Sequence, residues 1–362
     1  MPDFNNLVTA LLSRGEPTRV PLFEISIDQG IKSKYLGKPV ADPETEVEFY
    51  MQAGYDFVPM IVGMRENMRG DTTSMLGSDA GQATVFQAKD AQYNPFEEGT
   101  TTRLWAEEGC GVIRDQATFD RYPWPDPDAF GYPAVESLGR LLPDGAKIIV
   151  IAGGVFTCSW MLMGLEAFCI ATAERSTLVP QLIQKIGEIQ YRVVENVLQY
   201  DCVGAVFMPD DLGYTTGFMV HPAILREHVF PWNRRIGQLV AARQLPYIYH
   251  SDGRIYDVLD DLLECGFHAL HPCEPASMDI VDLKRKFGGR LCLCGSIDLD
   301  RTLTLGSPAD VEAEVRSRLR TIAPGGGFCC GASNSVPEYV PYDNYLALIN
   351  TVKKYGGYPV QP

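Results

Sequence analysis

The chain has 362 residues, of which 46% are hydrophobic and 21% charged, with a formal net charge of −15. That length accommodates one large α/β domain, and no apolar run approaches the ~18 residues of a membrane span. The acidic balance, with no basic stripe anywhere, argues against nucleic acid and anionic membranes as partners.

In chain order, Leu7 to Arg14 reads as a short amphipathic helix, followed by a first strand, Arg19 to Ser26, which carries Glu24 and Ser26 and leads to Asp28. Asp42-Pro43-Glu44-Thr45 has the cap, proline and acids of a helix start, and that helix runs to about Ala53. Phe57 to Val62 is the second strand. The stretch 63–144 has little periodicity and reads as an inserted lid region, with Thr101 to Arg114 as a β-hairpin inside it. Lys147 to Ala152 is a strand apolar on both faces. Further strands are expected at 203–208, 247–250, 268–272, 291–295 and 326–331, separated by helices at 165–173, 178–200, 222–242, 257–265, 279–287, 309–322 and 342–354. Eight βα units predict a single (β/α)8 TIM barrel domain over residues 1–362, with the hairpin insertion between its second and third units. A doubly wound sheet is the competing arrangement, without a Gly-x-Gly-x-x-Gly turn after its first strand.

No basic start, apolar block and cleavage site open the chain, and ten cysteines scattered through apolar segments suit a reducing compartment. The expected location is cytoplasmic.

In a barrel the strand ends at one face hold the site. They would bring together Glu24, Ser26, Asp28, Asp210, Asp211, His250, Asp252, Glu274, Asp298, Ser333, Asn334 and Ser335, an acid-rich mouth. His250 is read either as a ligand or acid–base group, or as a histidine bonded to a carbonyl. Asp252, before Gly253, is either functional or an Asx turn. Of the adjacent Asp210 and Asp211 at most one faces the pocket directly, and Asp211 is preferred. Glu24 in an apolar strand suggests function, because burying even a neutral polar group costs about 2 to 7 kcal/mol. Trp160, Met161 and Met163 are read as lining the top of the barrel, with a core role as the alternative. Cys273, Cys292-x-Cys294 and Cys329-Cys330, all near strand ends, lack a C-x-x-C pair and read as small core residues in preference to zinc ligands.

His271-Pro272, Met278-Asp279, Cys294-Gly295-Ser296-Ile297-Asp298, Gly326-Gly327-Phe328 and Val340-Pro341-Tyr342-Asp343-Asn344 resemble, in order, the uroporphyrinogen decarboxylase superfamily, and the likeness spans Arg19 to Tyr355. The resemblance implies a (β/α)8 barrel with one of two activities, uroporphyrinogen decarboxylation or corrinoid-linked methyl transfer. The decarboxylases carry an arginine-rich signature after the first strand. Here that place reads Leu22 to Gly30, with Glu24 and Asp28 and no arginine, a sign that should repel a substrate of eight carboxylates. Asn334 stands where the decarboxylases have a histidine.

The thiol-directed methyltransferases place a zinc-binding His-x-Cys at the Tyr247 to Gly253 strand end. His250 matches their histidine, Asp252 replaces the first cysteine and Asn334 the second, so a thiolate zinc site is not preserved. The resemblance leaves zinc as an option through His250 with Asp252 or Glu24. The reading is a methyltransferase working between a small-molecule methyl donor and a corrinoid (cobalamin) protein. Its expected catalytic residues are His250, Asp252, Glu24 and Asp211, with Ser26, Asp28, Trp160, Met161, Asn334 and Ser335 against substrate. A decarboxylase of another small acid, or a merely ligand-binding barrel, is the alternative, and a homodimer is left open.

Overall fold

A computed structural model describes residues 1–64, 88–92, 102–106 and 109–360. Its strands, in chain order, are β1 (Phe57–Ile61), β2 (Ala88–Gln92), β3 (Thr102–Ala106), β4 (Lys147–Ile151), β5 (Val203–Pro209), β6 (Gly213–Tyr214), β7 (Gly217–Phe218), β8 (Tyr247–His250), β9 (Ala269–His271), β10 (Cys292–Ile297) and β11 (Phe328–Ala332).

Seven of them form one parallel sheet in the order β1-β4-β5-β8-β9-β10-β11. Each strand pairs with the next of the series in the chain, which is barrel order and not the reversed order of a doubly wound sheet. The expected first strand is an extended segment with fewer ladder bonds. It runs parallel to β11 through bridges Leu22↔Cys330 and Ile27↔Val336, and Phe23 donates its N–H to the Cys330 carbonyl. The Phe23 ring reaches Phe57 of β1 at 5.2 Å, so this segment joins the two ends of the sheet's curl.

The helices begin where capping chemistry dictates. Asp42 and Thr45 form a capping box for helix Pro43–Ala53, Ser307 and Asp310 do so for Pro308–Ile322, and Asp279 caps Ile280–Phe287. The N-terminal helix is Phe4–Leu11, three residues earlier than its apolar pattern indicated, because the Asp3 side chain accepts from Asn6 N–H. It packs against β10 and β11 at the foot of the sheet.

Two expectations need correction. Within 63–144, residues 65–87, 93–101 and 107–108 lie outside the described residues, but the end of this stretch is ordinary scaffold. Helix Tyr132–Leu141 buries Tyr132, Val135 and Leu138 and packs on helices Pro43–Ala53 and Leu178–Val197. Thr102–Ala106 does form a strand, but its antiparallel partner is Ala88–Gln92 and not Cys110 to Arg114. The latter residues bond instead to a helix end, Gly111 and Ile113 N–H donating to the carbonyls of Met163 and Leu162. Among the described residues no single helix is long and apolar enough to cross a membrane.

Candidate active site

Three side chains meet where β5 and β8 end. Parallel pairing sets Pro209 beside His250 and His250 beside His271. Two residues beyond the ends of β5 and β8, the chain presents Asp211 and Asp252. His250 Nε2 lies 3.4 Å from Asp211 Oδ1 and 3.8 Å from Asp252 Oδ1. Asp211 Oδ1 also accepts the Asp252 backbone N–H at 2.9 Å, which ties the two strand ends together. Asn334, beyond β11, donates its amide to both oxygens of Asp252 at 3.1 and 3.0 Å and accepts the Ser335 N–H at 2.7 Å.

The turn holding Asp252 has little room. Gly253 sits at φ +84°, and a Cβ there would stand 2.4 Å from the Gly213 backbone, so the small β6–β7 hairpin fits against it only because the residue is glycine. Ser251 braces the other side, its hydroxyl accepting from Leu212 N–H and donating to the Asp252 carbonyl.

Behind the trio is a residue that the sequence reading did not select for the site. His271 Nδ1 is 2.7 Å from His250 Nδ1, the rings stack at 5.0 Å, and His271 Nε2 is buried with no protein partner. Phe23 and Phe207 enclose it. Burial first, and then the neighbouring His250 charge, hold His271 well below the ordinary histidine range, so it is neutral. One Nδ1 of the pair must donate and the other accept, and this orients His250 with Nε2 towards the carboxylates. His271 was legible as a second histidine ending a strand, by the same reasoning that selected His250.

The carboxyls differ in charge state. Burial raises Asp211, but its bond with His250, the His250 charge and the Asp252 N–H outweigh this and hold it below the usual range. Burial and then the charge of Asp211 push Asp252 up to about 7, against His250 and Asn334. Two neighbouring acids thus divide the roles of ionised partner and proton carrier.

Asp210 faces the other way. It is fully buried, one oxygen accepts Thr157 N–H at 2.7 Å at the start of helix Val155–Met163, and the other has no protein partner. The glycine at 154 makes this approach feasible, since a Cβ there would lie 2.4 Å from the carboxylate. Burial pushes Asp210 up to about 7, against the N–H groups of Thr157 and Phe156. A group raised this way stabilises the fold while protonated, and the contribution is lost as pH rises through about 7. We expect stability to fall by roughly 1 kcal/mol between pH 6 and pH 8 from this group. The isosteric Asp210→Asn variant should flatten that slope in denaturant titrations at the two pH values.

Glu24 is not part of the cluster. Strand residues alternate faces, and with Phe23 turned inward against Phe207 and His271, Glu24 faces the helix layer. Its Oε1 accepts Ala332 N–H at 2.6 Å, Oε2 has no protein partner, and its charge acts on Tyr50, Tyr55 and Tyr345. Burial, against the Ala332 bond, holds the carboxyl well above the ordinary value. The expectation that Glu24 shares a metal or a proton with His250 is therefore withdrawn. Asp28 caps helix Gln29–Leu36 by accepting Gly30 N–H, and Ser26 accepts the Val336 N–H through its carbonyl. Trp160 and Met161 are buried in helix Val155–Met163.

The donor set fits a hard or borderline cation. His250 Nε2, Asp211 and Asp252 offer ligand atoms all within 4.8 Å of one another, and His271 fixes the other His250 nitrogen, as a metal-binding histidine requires. The set contains no thiolate.

Fold and site define a parallel α/β protein whose ionisable groups gather at the carboxyl ends of its strands. A family model for uroporphyrinogen decarboxylase (URO-D) matches residues 111–355, and the chain belongs to that family. It is 25% identical over 280 residues to the uroporphyrinogen decarboxylase of Cronobacter sakazakii, covering 72% of this chain and 73% of the relative. Among solved structures, a methyltransferase from Methanosarcina mazei superposes with a TM-score of 0.67 at 16% identity, over 97% of this chain and 98% of that one.

Proposed function

We propose that this chain is an enzyme of the methyltransferase branch, a (β/α)8 barrel that moves a methyl group from an aryl methyl ether or another small O- or N-methyl donor to a corrinoid protein. The observation that carries the reading is the trio itself, His250 Nε2 3.4 Å from Asp211 and 3.8 Å from Asp252, in which Asp211 is held low and Asp252 is raised to about 7, where it can carry a proton. The likeness to the Methanosarcina methyltransferase supports it. A uroporphyrinogen substrate fits poorly, because two of the three charges acting on Asp252, those of Asp211 and Glu274, are negative. Ten free cysteines without a disulfide agree with a cytoplasmic setting.

In the transfer, the carbon–heteroatom bond breaks with its electron pair left on the heteroatom, and the acceptor supplies the pair for the new bond to the methyl carbon. An ether oxygen leaves badly until that charge is met. Asp252 meets it by giving its proton to the heteroatom, and the product leaves as an alcohol or amine. Asp211 holds His250 in place, the imidazole spreads the charge left on the carboxylates, and Asn334 orients Asp252. His250 Nε2, Asp211 and Asp252 would hold a zinc ion, which when bound would stabilise negative charge on the same heteroatom.

Chelator-treated and zinc-loaded protein, each given cob(I)alamin and a methyl ether, test the proposal. Methylcobalamin formation in the chelator-treated sample supports proton donation by Asp252. Formation only with zinc would replace it with the metal reading, and formation in neither would overturn both.

In the chelator-treated enzyme the activity should fall as pH rises through about 7, where Asp252 loses its proton. Asn334 favours the ionised form, so Asn334→Ala should move this alkaline limb to higher pH. A limb that stays in place would show that Asp252 is not the titrating group.

A decarboxylase of another small acid is the second reading, favoured by the identity to the Cronobacter enzyme. Asp252 would then protonate the carbanion left when CO2 departs.

A further inference from the structure

A second cluster lies inside the sheet, away from the mouth. Cys292 and Cys294 are two residues apart on β10 and share a face, and Cys294 is the register partner of Cys329 on β11. Cys330, on the opposite face, feels the charges of Glu314 and Arg318 on the outer helix Pro308–Ile322, so the other three side chains point inward. All three are fully buried, and their sulfurs converge: Cys292 Sγ is 4.0 Å from Cys294 Sγ and 3.9 Å from Cys329 Sγ, and all three lie within 4.8 Å of one another.

The two edges at Cys292, 4.0 and 3.9 Å, are the ones a single ion requires. Sulfurs bound to zinc at about 2.3 Å are spaced roughly 3.8 Å in a tetrahedral site and roughly 4.0 Å in a trigonal one. Three thiolates also select a thiophilic metal over magnesium or calcium. Lys284, half-buried on helix Ile280–Phe287, places its ammonium where it acts on Cys292. One divalent cation offsets most of the charge of three thiolates and the Lys284 ammonium adds to it, although the Asp56 carboxylate acts on Cys329 from the other side. A monovalent ion would leave more negative charge there.

We propose that Cys292, Cys294 and Cys329 form a zinc site within the foot of the barrel, separate from His250, Asp211 and Asp252 and independent of the reaction at the mouth. Binding forms three S–Zn bonds and releases the thiol protons to solvent, with no redox change. The fourth coordination position is left to a small ligand such as water. Because the sulfurs are enclosed by β10 and β11, the ion enters as the chain folds and stays until the fold opens.

The full-length chain, refolded with zinc under reducing conditions and then dialysed against chelator in the native state, supplies the test. Zinc in the mouth, where Asp252 is 38% exposed, should be stripped, and about one ion per chain should remain until the protein is unfolded. X-ray absorption on this material should show a sulfur shell at about 2.3 Å. Cys294→Ala and Cys329→Ser should lower the retained zinc about tenfold, whereas His250→Ala should leave it unchanged, with near-ultraviolet circular dichroism reporting that each variant is folded. If a cysteine variant fails to fold, the absorption measurement on the unaltered chain still decides. Retention of no zinc, a shell of oxygen and nitrogen only, or retention unaffected by the cysteine variants would overturn the proposal.

Discussion

Replacing His250 with alanine is expected to lower methyl transfer by about a hundred- to ten-thousand-fold, the usual worth of a positioned acid–base group. The substitution removes the group 3.4 Å from Asp211 and 3.8 Å from Asp252, so the two carboxyls are left without the imidazole that both approach. Asp252 should then hold its proton more tightly and give it up less readily. The fold should survive, because β8 is set by its pairing with β5 and β9 and not by the imidazole. Stability should fall by only about 1–3 kcal/mol, the cost of leaving His271 Nδ1 unpaired in the interior. Turnover measured beside a denaturant titration separates the two effects. A variant that keeps its turnover would remove His250 from the chemistry, and one that unfolds would make it a structural residue.

The second large effect concerns stability alone. Lys32 Nζ lies 2.6 and 2.8 Å from the two oxygens of Glu46, with side-chain exposures of 0% and 3%, and joins helix Gln29–Leu36 to helix Pro43–Ala53. Burial pushes the Glu46 carboxyl up, and the Lys32 charge opposes it. Lys32→Met leaves that carboxyl without its cation and should cost about 3–5 kcal/mol, more at high pH than at low, because a proton can substitute for the lost partner. Adding Glu46→Leu should recover most of the loss, since a buried ion pair contributes little beyond what apolar packing supplies. A double variant no more stable than Lys32→Met would show that the pair has a further role in holding the two helices.

Much of the fold was legible because parallel barrel strands carry a strong signal. Lys147–Ile151 and Val203–Pro209 are continuous apolar runs that end in glycine or acid, and their order follows from the alternation with helices. What was lost has physical causes. In a strand buried on both faces, composition does not reveal which side is the lumen, so Glu24 was placed at the mouth when it faces Tyr50, Tyr55 and Tyr345. Helix Val155–Met163 is apolar all round and buried, with no stripe for periodicity to detect. Thr102–Ala106 was paired with the next segment in the chain, whereas its partner lies upstream.

The site was legible in part for the same kind of reason. Asp211, His250, Asp252 and Asn334 announced themselves as polar residues where apolar strands stop, and they do converge. His271 satisfied the same criterion but sat inside a motif that already had a family explanation. Its value emerges only from the register that sets it against His250.

The central claim is that the trio at the ends of β5 and β8 serves methyl transfer. Its most direct test gives the purified chain reduced cobalamin with a panel of aryl methyl ethers and methylamines, and in parallel a panel of small carboxylic acids, scoring methylcobalamin and CO2 in the same preparations. Methylcobalamin from at least one donor, abolished by Asp252→Asn and by His250→Ala, with no CO2 from the acids, is the predicted result. CO2 release that depends on His250 and Asp252, with cobalamin left unmethylated by every donor, would contradict it.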